Sequence, residues 1–162
     1  MLRISRLTDY ATVLLATLAE APARVQTAAA LAERTRIALP TVSKLLKQLQ
    51  HAGLVSSTRG LHGGYQLSRA PAEISAASIL DALEGPLALT DCSAGHGQCD
   101  IEQTCRVGRF WQRMNLAIRR SLHEVTLAHL AGLDAVPSHP SSVEREIKLS
   151  ARGGHAVKAT GN

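Results

Sequence analysis

The residues of this chain with the clearest capacity for chemistry are three cysteines in one short stretch. Cys92, Cys99 and Cys105 are spaced C-x₆-C-x₅-C, and Gly95 and Gly97 between them allow a loop to wrap around a central atom. Thiolates bind zinc or iron–sulfur clusters. Because the spacing lacks a C-x₂-C pair, it leaves three interpretations open: a metal centre, a thiol redox switch, and free cysteines that pack as small hydrophobic residues.

A metal centre on three cysteines leaves a fourth ligand to be found. His96 lies inside the loop, and Asp9 near the start of the chain offers a carboxylate. Further carboxylates lie in or beside the loop, at Asp91, Asp100 and Glu102. His123 and His129 lie on a predicted helix and are expected at its surface. An exchangeable fourth position suits a sensor better than a structural site, because an open position admits a reactant.

The charges of the chain fall into blocks of opposite sign. Residues 1–69 carry nine arginines and lysines against three acids, and residues 70–105 carry six acids and no arginine or lysine. Residues 106–131 carry five arginines against one glutamate, and the 162-residue chain has a net charge of +5. Contact with nucleic-acid phosphates is therefore predicted for the first block. Only four residues are aromatic, which argues against a module that binds single strands by stacking their bases.

Features of secreted and membrane proteins are weak in this sequence. The chain has no run of about 18 apolar residues, so no membrane span is predicted. An apolar run over residues 11–19 follows two arginines as in a signal peptide, but Asp9 precedes the run and two threonines interrupt it. An odd number of cysteines does not suit a disulfide-stapled secreted domain. Secretion is therefore not expected.

The elements that must position these residues begin with three helices and a hairpin. Apolar spacing predicts helices over residues 7–20, 28–34 and about 40–52. Thr27 is a predicted N-cap of the second helix, Pro40 lies in the first turn of the third, and Gly53 ends that helix. Strands predicted at 54–57 and 65–68 flank a glycine-rich tip. This order is that of a winged helix-turn-helix.

A winged helix-turn-helix that binds DNA needs a polar, basic face on its third helix and a wing tip that can approach the backbone closely. The third helix offers Pro40, Thr41, Ser43, Lys44 and Lys47, and the wing offers Arg59, His62 and Gly63. An arginine and glycines suit a wing tip that lies on phosphate or in a narrow groove. The other interpretation of the same pattern is a solvated basic face on a domain that binds protein.

The remainder of the chain holds a further helix, the cysteine loop and a long helix. The predicted regions are the winged helix-turn-helix 1–70, a connecting helix in 71–91, the cysteine-rich loop 92–105, a long helix in 106–132 and a disordered tail 133–162. The connecting helix is predicted over residues 75–84 and the long helix over about 105–131. Phe110, Met114 and Ile118 share one face of the long helix. The predicted fold class is mainly α.

Three segments together resemble the Rrf2 family of bacterial winged-helix regulators, which includes IscR and NsrR. They are MLRISRLTDYA at residues 1–11, GLVSSTRG at 53–60 running into GGY at 63–65, and the three-cysteine loop. The resemblance covers residues 1 to about 132 and is closest to the regulators of SUF iron–sulfur assembly genes. It implies a cytoplasmic homodimer with the long helix as its dimerisation helix.

The same resemblance implies a cofactor and a surface that reads DNA. An iron–sulfur cluster, of the 2Fe–2S or 4Fe–4S type, would be held by Cys92, Cys99 and Cys105. Duplex DNA would be read by the helix that starts at Pro40 and by the wing at Arg59.

This sequence departs from the family pattern at its fourth ligand. IscR-like members have a histidine three residues after the third cysteine, where this chain has Gly108. NsrR-like members can use an aspartate of the first helix from the partner subunit, and Asp9 resembles that residue. Asp9 is therefore favoured over His96 as the fourth ligand.

The DNA-reading surface departs as well. Ser43 replaces an acidic residue of IscR-like members, and Leu61 and His62 replace a Pro-Gly pair in the wing. The operator sequence is therefore expected to differ from theirs.

Residues and resemblance together predict a DNA-binding repressor of SUF iron–sulfur assembly genes that senses a cluster. One alternative is a nitric-oxide-responsive repressor of the same family. A second is a zinc- or thiol-redox-dependent regulator without iron, and a third is a winged adaptor that binds only protein. An enzyme is not expected, because the chain has no Ser/His/Asp grouping, no phosphate loop and no α/β pattern.

Overall fold

The protein is mainly helical, and its first elements follow the winged helix-turn-helix order. The computed structural model describes residues 4–60, 62–94, 99–101 and 104–135. Helix α1 spans Arg6–Ala19, α2 spans Ala28–Thr35 and α3 spans Leu39–His51. Each bound lies within one residue of the predicted helix, because the signals that start and stop these helices are local in sequence.

Residues at the helix ends explain these bounds. Ser5 caps α1 and Thr27 caps α2, each by accepting a hydrogen bond from a backbone N–H of the first turn. Helix α3 has no side-chain cap, but Pro40 lies in its first turn, where a missing N–H costs little. Gly53 follows α3 with a φ of 70°, a left-handed conformation that glycine adopts readily.

The described residues form two compact units. The first contains the chain up to Leu87 and again from Leu122, and the second contains Ala88–Ser121. The first unit has a single apolar core, to which α3 contributes its whole predicted apolar stripe. Its largest fully buried side chains are Leu14, Leu15, Leu18, Leu31, Leu45, Leu46, Leu49, Leu54, Ile74, Ile79, Leu127 and Val42. The predicted core face of the third helix is therefore confirmed.

The wing is an antiparallel hairpin of two short strands. Strand β1 spans Val55–Thr58 and β2 spans Gly64–Leu67, with Val55 opposite Leu67. The first strand starts one residue later than predicted, and the second starts and ends one residue earlier. The difference arises because backbone pairing sets the ends of a hairpin, whereas the sequence pattern reports only which residues favour extended structure.

A third backbone segment pairs with the wing. Gln26, in the connection between α1 and α2, bridges to Tyr65 on the edge of β2 that does not face β1. Two backbone hydrogen bonds of 2.9 and 2.8 Å join these residues. The pairing fixes β2, near the tip end of the wing, to the connection between α1 and α2, and the sequence pattern did not indicate it.

Helix α4 spans Ala76–Glu84 and follows the wing after a 3₁₀ turn at Pro71–Glu73. Ser75 caps α4, as the prediction of a helix from residue 75 implies, and Gly85 follows it with a φ of 82°. Buried residues of α4 belong to the same core as α1 to α3.

The prediction of a single long helix over about 105–131 is wrong in its bounds. Helix α6 spans Gly108–Glu124, and a separate short helix, α7, spans Leu127–Leu130. Between them Thr126 forms an antiparallel bridge with Ser75, and a backbone hydrogen bond of 2.7 Å lies on either side of it. The helix stops because its backbone pairs with a segment some fifty residues earlier in the chain, which apolar periodicity cannot reveal.

The two histidines of this region differ in their surroundings. Thr126 accepts a hydrogen bond from the backbone N–H of His129, and His129 Nδ1 accepts one from the backbone N–H of Thr126 at 3.0 Å. His129, predicted as a surface residue, is therefore half-buried and completes the cap of α7. His123 is exposed as predicted, with Nδ1 3.4 Å from the hydroxyl oxygen of Ser75.

The second unit carries the cysteine loop. A short helix, α5, spans Asp91–Ala94 within the stretch predicted as loop. The side-chain oxygen of buried Asn115 on α6 accepts a hydrogen bond from the N–H of Leu89 at 3.2 Å, which ties the start of the unit to α6.

From residue 136 onward, the predicted disordered tail lies outside the described residues. Among the described helices, none is long and apolar enough to cross a membrane.

Candidate functional site

Helix α3 separates an apolar face from a basic one. Val42, Leu45, Leu46 and Leu49 are fully buried, whereas Lys44 and Lys47 are exposed. At 100° per residue, Lys44 and Lys47 lie on the side of the helix opposite that buried stripe. Within the described part of the chain, neither lysine is in an ion pair. Both positive charges are therefore available to an anionic partner.

The remaining predicted DNA-contacting residues of α3 lie at its N-terminal end. Pro40 is exposed, and Thr41 and Ser43 are half-buried at the edges of the basic face. Leu39, the first residue of the helix, is 46% exposed, which is unusual for a leucine beside a core. An apolar side chain at this end of a recognition helix can contact a thymine methyl group. Sequence reasoning missed Leu39, because it placed this residue in the connection before a helix predicted to start at Pro40.

The wing is linked to α3 by a side-chain hydrogen bond. The amide of Gln50 donates to the hydroxyl of Ser57 on β1 at 2.8 Å. Sequence reasoning missed this pair, which holds the C-terminal part of α3 at a fixed position relative to the hairpin. Helix and wing can thus act as one surface.

The tip of the wing exposes the predicted basic residue. Arg59 and His62 are both exposed, and Leu61 between them lies outside the described residues. Gly63 is needed for steric reasons, because a Cβ atom there would lie 2.3 Å from the carbonyl oxygen of Thr58. The structure therefore gives Gly63 a role in forming the turn that presents Arg59.

Not every basic residue of the first block is free for a partner. Arg34 forms an ion pair with Glu20 and donates a hydrogen bond of 2.7 Å to the side-chain oxygen of Gln26. This network includes Gln26, the residue of the connection between α1 and α2 that pairs with β2. Arg34 therefore has a structural role, and the basic charge open to a partner is smaller than the sequence count suggests.

The cysteine loop is described in part. Cys99 and Cys105 are free, half-buried thiols, and Cys92 lies on α5. His96 and Glu102 lie outside the described residues, as does the side chain of Cys92. The described side chains include no group of three metal ligands. Cys99 and Cys105 are thiols of the type that binds zinc or iron–sulfur clusters, and they lie in a stretch that has acids but no arginine or lysine.

Asp9, the favoured fourth ligand, lies in the first unit. Asp9 is exposed on the first turn of α1. An open depression there is lined by Ile4, Ser5, Arg6 and Asp9. Among the described residues, Asp9 belongs to no group of three or more possible metal ligands. Asp9 is thus exposed to solvent in the described structure.

Glu84 is a further charged residue beside the start of α1 that sequence reasoning missed. The hydroxyl of Thr8 and the backbone N–H of Ser5 both donate to Glu84 Oε1. These hydrogen bonds, with that of Thr8 the stronger influence, hold the pKa of the Glu84 carboxyl below its usual value. The end of α4 is thereby attached to the turn that carries Asp9.

Comparison with known proteins gives a consistent result. Residues 4–132 match the family model Rrf2, described as an iron-dependent transcriptional regulator. The chain is 30% identical over 130 residues to the HTH-type transcriptional regulator IscR of Vibrio atlanticus, covering 80% of this chain and 73% of that protein. It is 33% identical over 100 residues to the protein rrf2 of Nitratidesulfovibrio vulgaris, covering 62% and 67% of the two chains.

A solved structure agrees with the fold. CymR (YrzC), the global cysteine regulator of B. subtilis, superposes with a TM-score of 0.67 and 27% identity over 83% of this chain and 99% of that one. The chain spans about two thirds of the length of several curated relatives that it matches. The relatives are named as transcriptional regulators, which are not enzymes, and this confirms the prediction that the chain is not an enzyme.

Proposed function

This chain belongs to the Rrf2 family of DNA-binding transcriptional regulators, and from that membership we propose that it is a cluster-sensing repressor of SUF iron–sulfur assembly genes. In this proposal it acts in the cytoplasm as a homodimer on a duplex DNA operator. The family description as iron-dependent supports iron rather than zinc as the metal. The proposal has three parts, which concern DNA reading, dimerisation and sensing.

The observation that carries the proposal is the division of α3 into two faces. A fully apolar face anchors the helix in the core, and the opposite face exposes Lys44 and Lys47 without ion-pair partners in the described structure. A recognition helix inserts its N-terminal residues into the major groove, so Pro40, Thr41 and Ser43 would lie nearest the base edges. The lysines and Arg59 of the wing would bind phosphates and set the position of the helix on the duplex.

Dimerisation is proposed through an exposed apolar stripe at the start of α6. Val107, Phe110 and Trp111 are 59%, 50% and 40% exposed, and Met114 and Ile118 continue the stripe one and two turns later. Phe110 and Trp111 contact each other edge to face, with ring centroids 5.8 Å apart. A contiguous apolar face of this kind typically marks a protein interface, and a second copy of the chain is the partner that a palindromic operator requires.

Sensing is proposed for Cys92, Cys99 and Cys105, which would hold an iron–sulfur cluster. Asp9 of the partner subunit is the proposed fourth ligand, in preference to His96. When bound, such a cluster supplies a centre that responds to oxidants and to iron supply. The protein's own part is to offer thiolates from α5 and from the segment that leads directly into α6.

Regulation would follow from this connection along the chain. Cys105 precedes the first residue of α6 by three positions, so a change in the loop is transmitted to the start of the proposed dimer face. The loop would then shift the population of dimers whose two recognition helices have the spacing of the operator. A tenfold change in operator affinity needs about 1.4 kcal/mol of such coupling.

The decisive experiment is to purify the full chain without oxygen and measure iron, sulfide, zinc and visible absorption per monomer. Iron with matching sulfide, lost in Cys99→Ala and kept in the neighbouring Ser93→Ala control, would support the cluster. Zinc in place of iron would favour the zinc- or thiol-dependent regulator. No metal after attempted reconstitution would contradict the sensing part of the proposal, whereas binding to duplex DNA tests the regulator part independently.

A further inference from the structure

The turn between the two helices of the helix-turn-helix holds a basic residue in a strained conformation. Arg36 follows α2 as its C-cap with φ 57° and ψ 24°, in the left-handed region. Of the residues that the structure describes, Arg36 is the only non-glycine residue with positive φ. This conformation is unfavourable for a side chain with a Cβ atom, and glycine usually occupies it. Non-glycine residues held in this region cluster at functional sites.

The surroundings of Arg36 leave its charge free. Its residue is exposed, and it forms no ion pair or side-chain hydrogen bond with any described residue. Arg34, two residues earlier, is instead held by Glu20 and Gln26. Arg36 precedes Leu39, the first residue of α3, by three positions, so it lies in the turn that leads into the end of α3 that would enter the groove.

We propose that Arg36 is an additional DNA-binding residue that contacts a backbone phosphate beside the N-terminus of the recognition helix. The proposal rests on the proposed function, since it presumes that α3 reads DNA. Because a recognition helix enters the major groove by its N-terminal end, the turn before it lies close to the flanking phosphates. The planar guanidinium offers paired donors that match phosphate oxygens, which explains why arginine rather than glycine stands at this strained position.

A purely structural role for Arg36 makes a different prediction. A positive charge at the C-terminal end of α2 interacts favourably with the helix dipole, and this interaction needs no DNA. Under that interpretation, loss of the charge lowers the stability of the protein. It leaves the dependence of DNA binding on salt unchanged.

The test uses three variants of the full chain and a mixed-sequence duplex, since non-specific binding reports phosphate contacts without knowledge of the operator. Arg36→Gly removes the charge and relieves the backbone. Arg36→Asn removes the charge with a residue that tolerates the left-handed conformation, and Arg36→Lys keeps both the charge and the strain. Affinity is measured between about 50 and 200 mM salt, with urea unfolding of each variant in parallel.

The proposal expects Arg36→Gly and Arg36→Asn to bind several-fold more weakly, with the slope of log affinity against log salt smaller by about 0.9 per bound protomer. It expects Arg36→Lys to keep most of the slope, and Arg36→Gly to unfold at the same urea concentration as wild type or a higher one. An unchanged slope in Arg36→Gly, alongside a reduced slope in Lys44→Ala, would overturn the role of Arg36 alone. A wild-type protein that does not bind duplex DNA would overturn the proposed function as well.

Discussion

The hydroxyl of Thr8 donates a hydrogen bond to Oε1 of Glu84, across 76 positions of sequence, and joins the first turn of α1 to the last residue of α4. The N–H of Ser5 donates to the same oxygen at 2.9 Å. Asp9 follows Thr8, and the segment after Glu84 leads into the unit that carries the cysteines. This contact therefore joins the turn that carries Asp9, the proposed ligand of the partner subunit's cluster, to the helix after which the chain leads to its own cysteines.

The first prediction concerns acid stability. The pKa of Glu84 is lowered in the folded state, so its contribution to stability is present above the unfolded-state value near 4.5 and is lost as pH falls through the folded-state pKa. Glu84→Gln should therefore be slightly less stable than wild type at neutral pH, by less than about 1 kcal/mol because the residue is exposed. The difference should shrink as pH falls below the unfolded-state value and should vanish once the folded-state carboxyl is also protonated, as followed by urea unfolding across pH.

The matched control for this variant is Glu73→Gln, in the exposed 3₁₀ turn. It should show no comparable change. A Glu84→Gln variant that follows the wild-type curve at every pH would show that the hydrogen bonds of Thr8 and Ser5 add nothing to folding.

The second prediction separates the two faces of α3. Leu45→Ala removes a fully buried side chain and should lower the free energy of unfolding by about 2–5 kcal/mol. Lys44→Ala, one position away on the exposed face, should leave stability within about 0.5 kcal/mol of wild type but weaken binding to duplex DNA at every sequence. Chemical denaturation and fluorescence anisotropy would measure the two effects. Equal DNA affinity of Lys44→Ala and wild type would contradict the assignment of this face.

The third prediction concerns the wing tip. Arg59→Ala should weaken all duplex binding and reduce the salt slope by about 0.9 per bound protomer, because each protomer loses one phosphate contact. Arg59→Lys keeps the charge and serves as the control, with a slope close to wild type. A slope that does not change in Arg59→Ala would remove the phosphate role of this residue.

The fourth prediction tests whether Gly63 acts through the shape of the wing. Gly63→Ala places a Cβ where the carbonyl oxygen of Thr58 lies 2.3 Å away, so the hairpin tip must shift. The expected result is a stability loss of about 1–3 kcal/mol and weaker DNA binding than in His62→Ala, which alters an exposed side chain next to it. If the Gly63→Ala variant binds DNA and unfolds like wild type, the hairpin tip has room to adjust to the added Cβ.

The fifth prediction concerns the assembly. Phe110→Asp places a charge in the exposed apolar stripe of α6 and should convert the proposed dimer to monomers in sedimentation velocity. Phe110 is not part of the core of the first unit. The monomeric variant should therefore keep the urea midpoint of wild type, except for the stability that wild type gains from dimerisation, which depends on protein concentration. Leu116→Asp is the control, since Leu116 is 49% exposed but lies off the stripe. A dimer that survives Phe110→Asp would place the interface elsewhere.

The sequence alone was enough for the first three helices and for the face that α3 buries. Thr27, Pro40 and Gly53 act on the residues next to them, so the signals that start and end these helices are complete within a few positions. The apolar spacing from Val42 likewise identifies a face without reference to what it packs against. The basic face of the candidate site could be predicted in the same way, because Lys44 lies on the side of α3 opposite the buried face.

Only the tertiary structure decided which of these residues are free and where the long helix ends. Arg34 counts as basic charge in the sequence, but Glu20 lies within ion-pair distance of it in the fold. The helix pattern after Cys105 continues through Thr126, yet the backbone there pairs with Ser75. Such pairings join segments that are far apart along the chain, and their energy depends on a three-dimensional arrangement that no local pattern of residue types encodes.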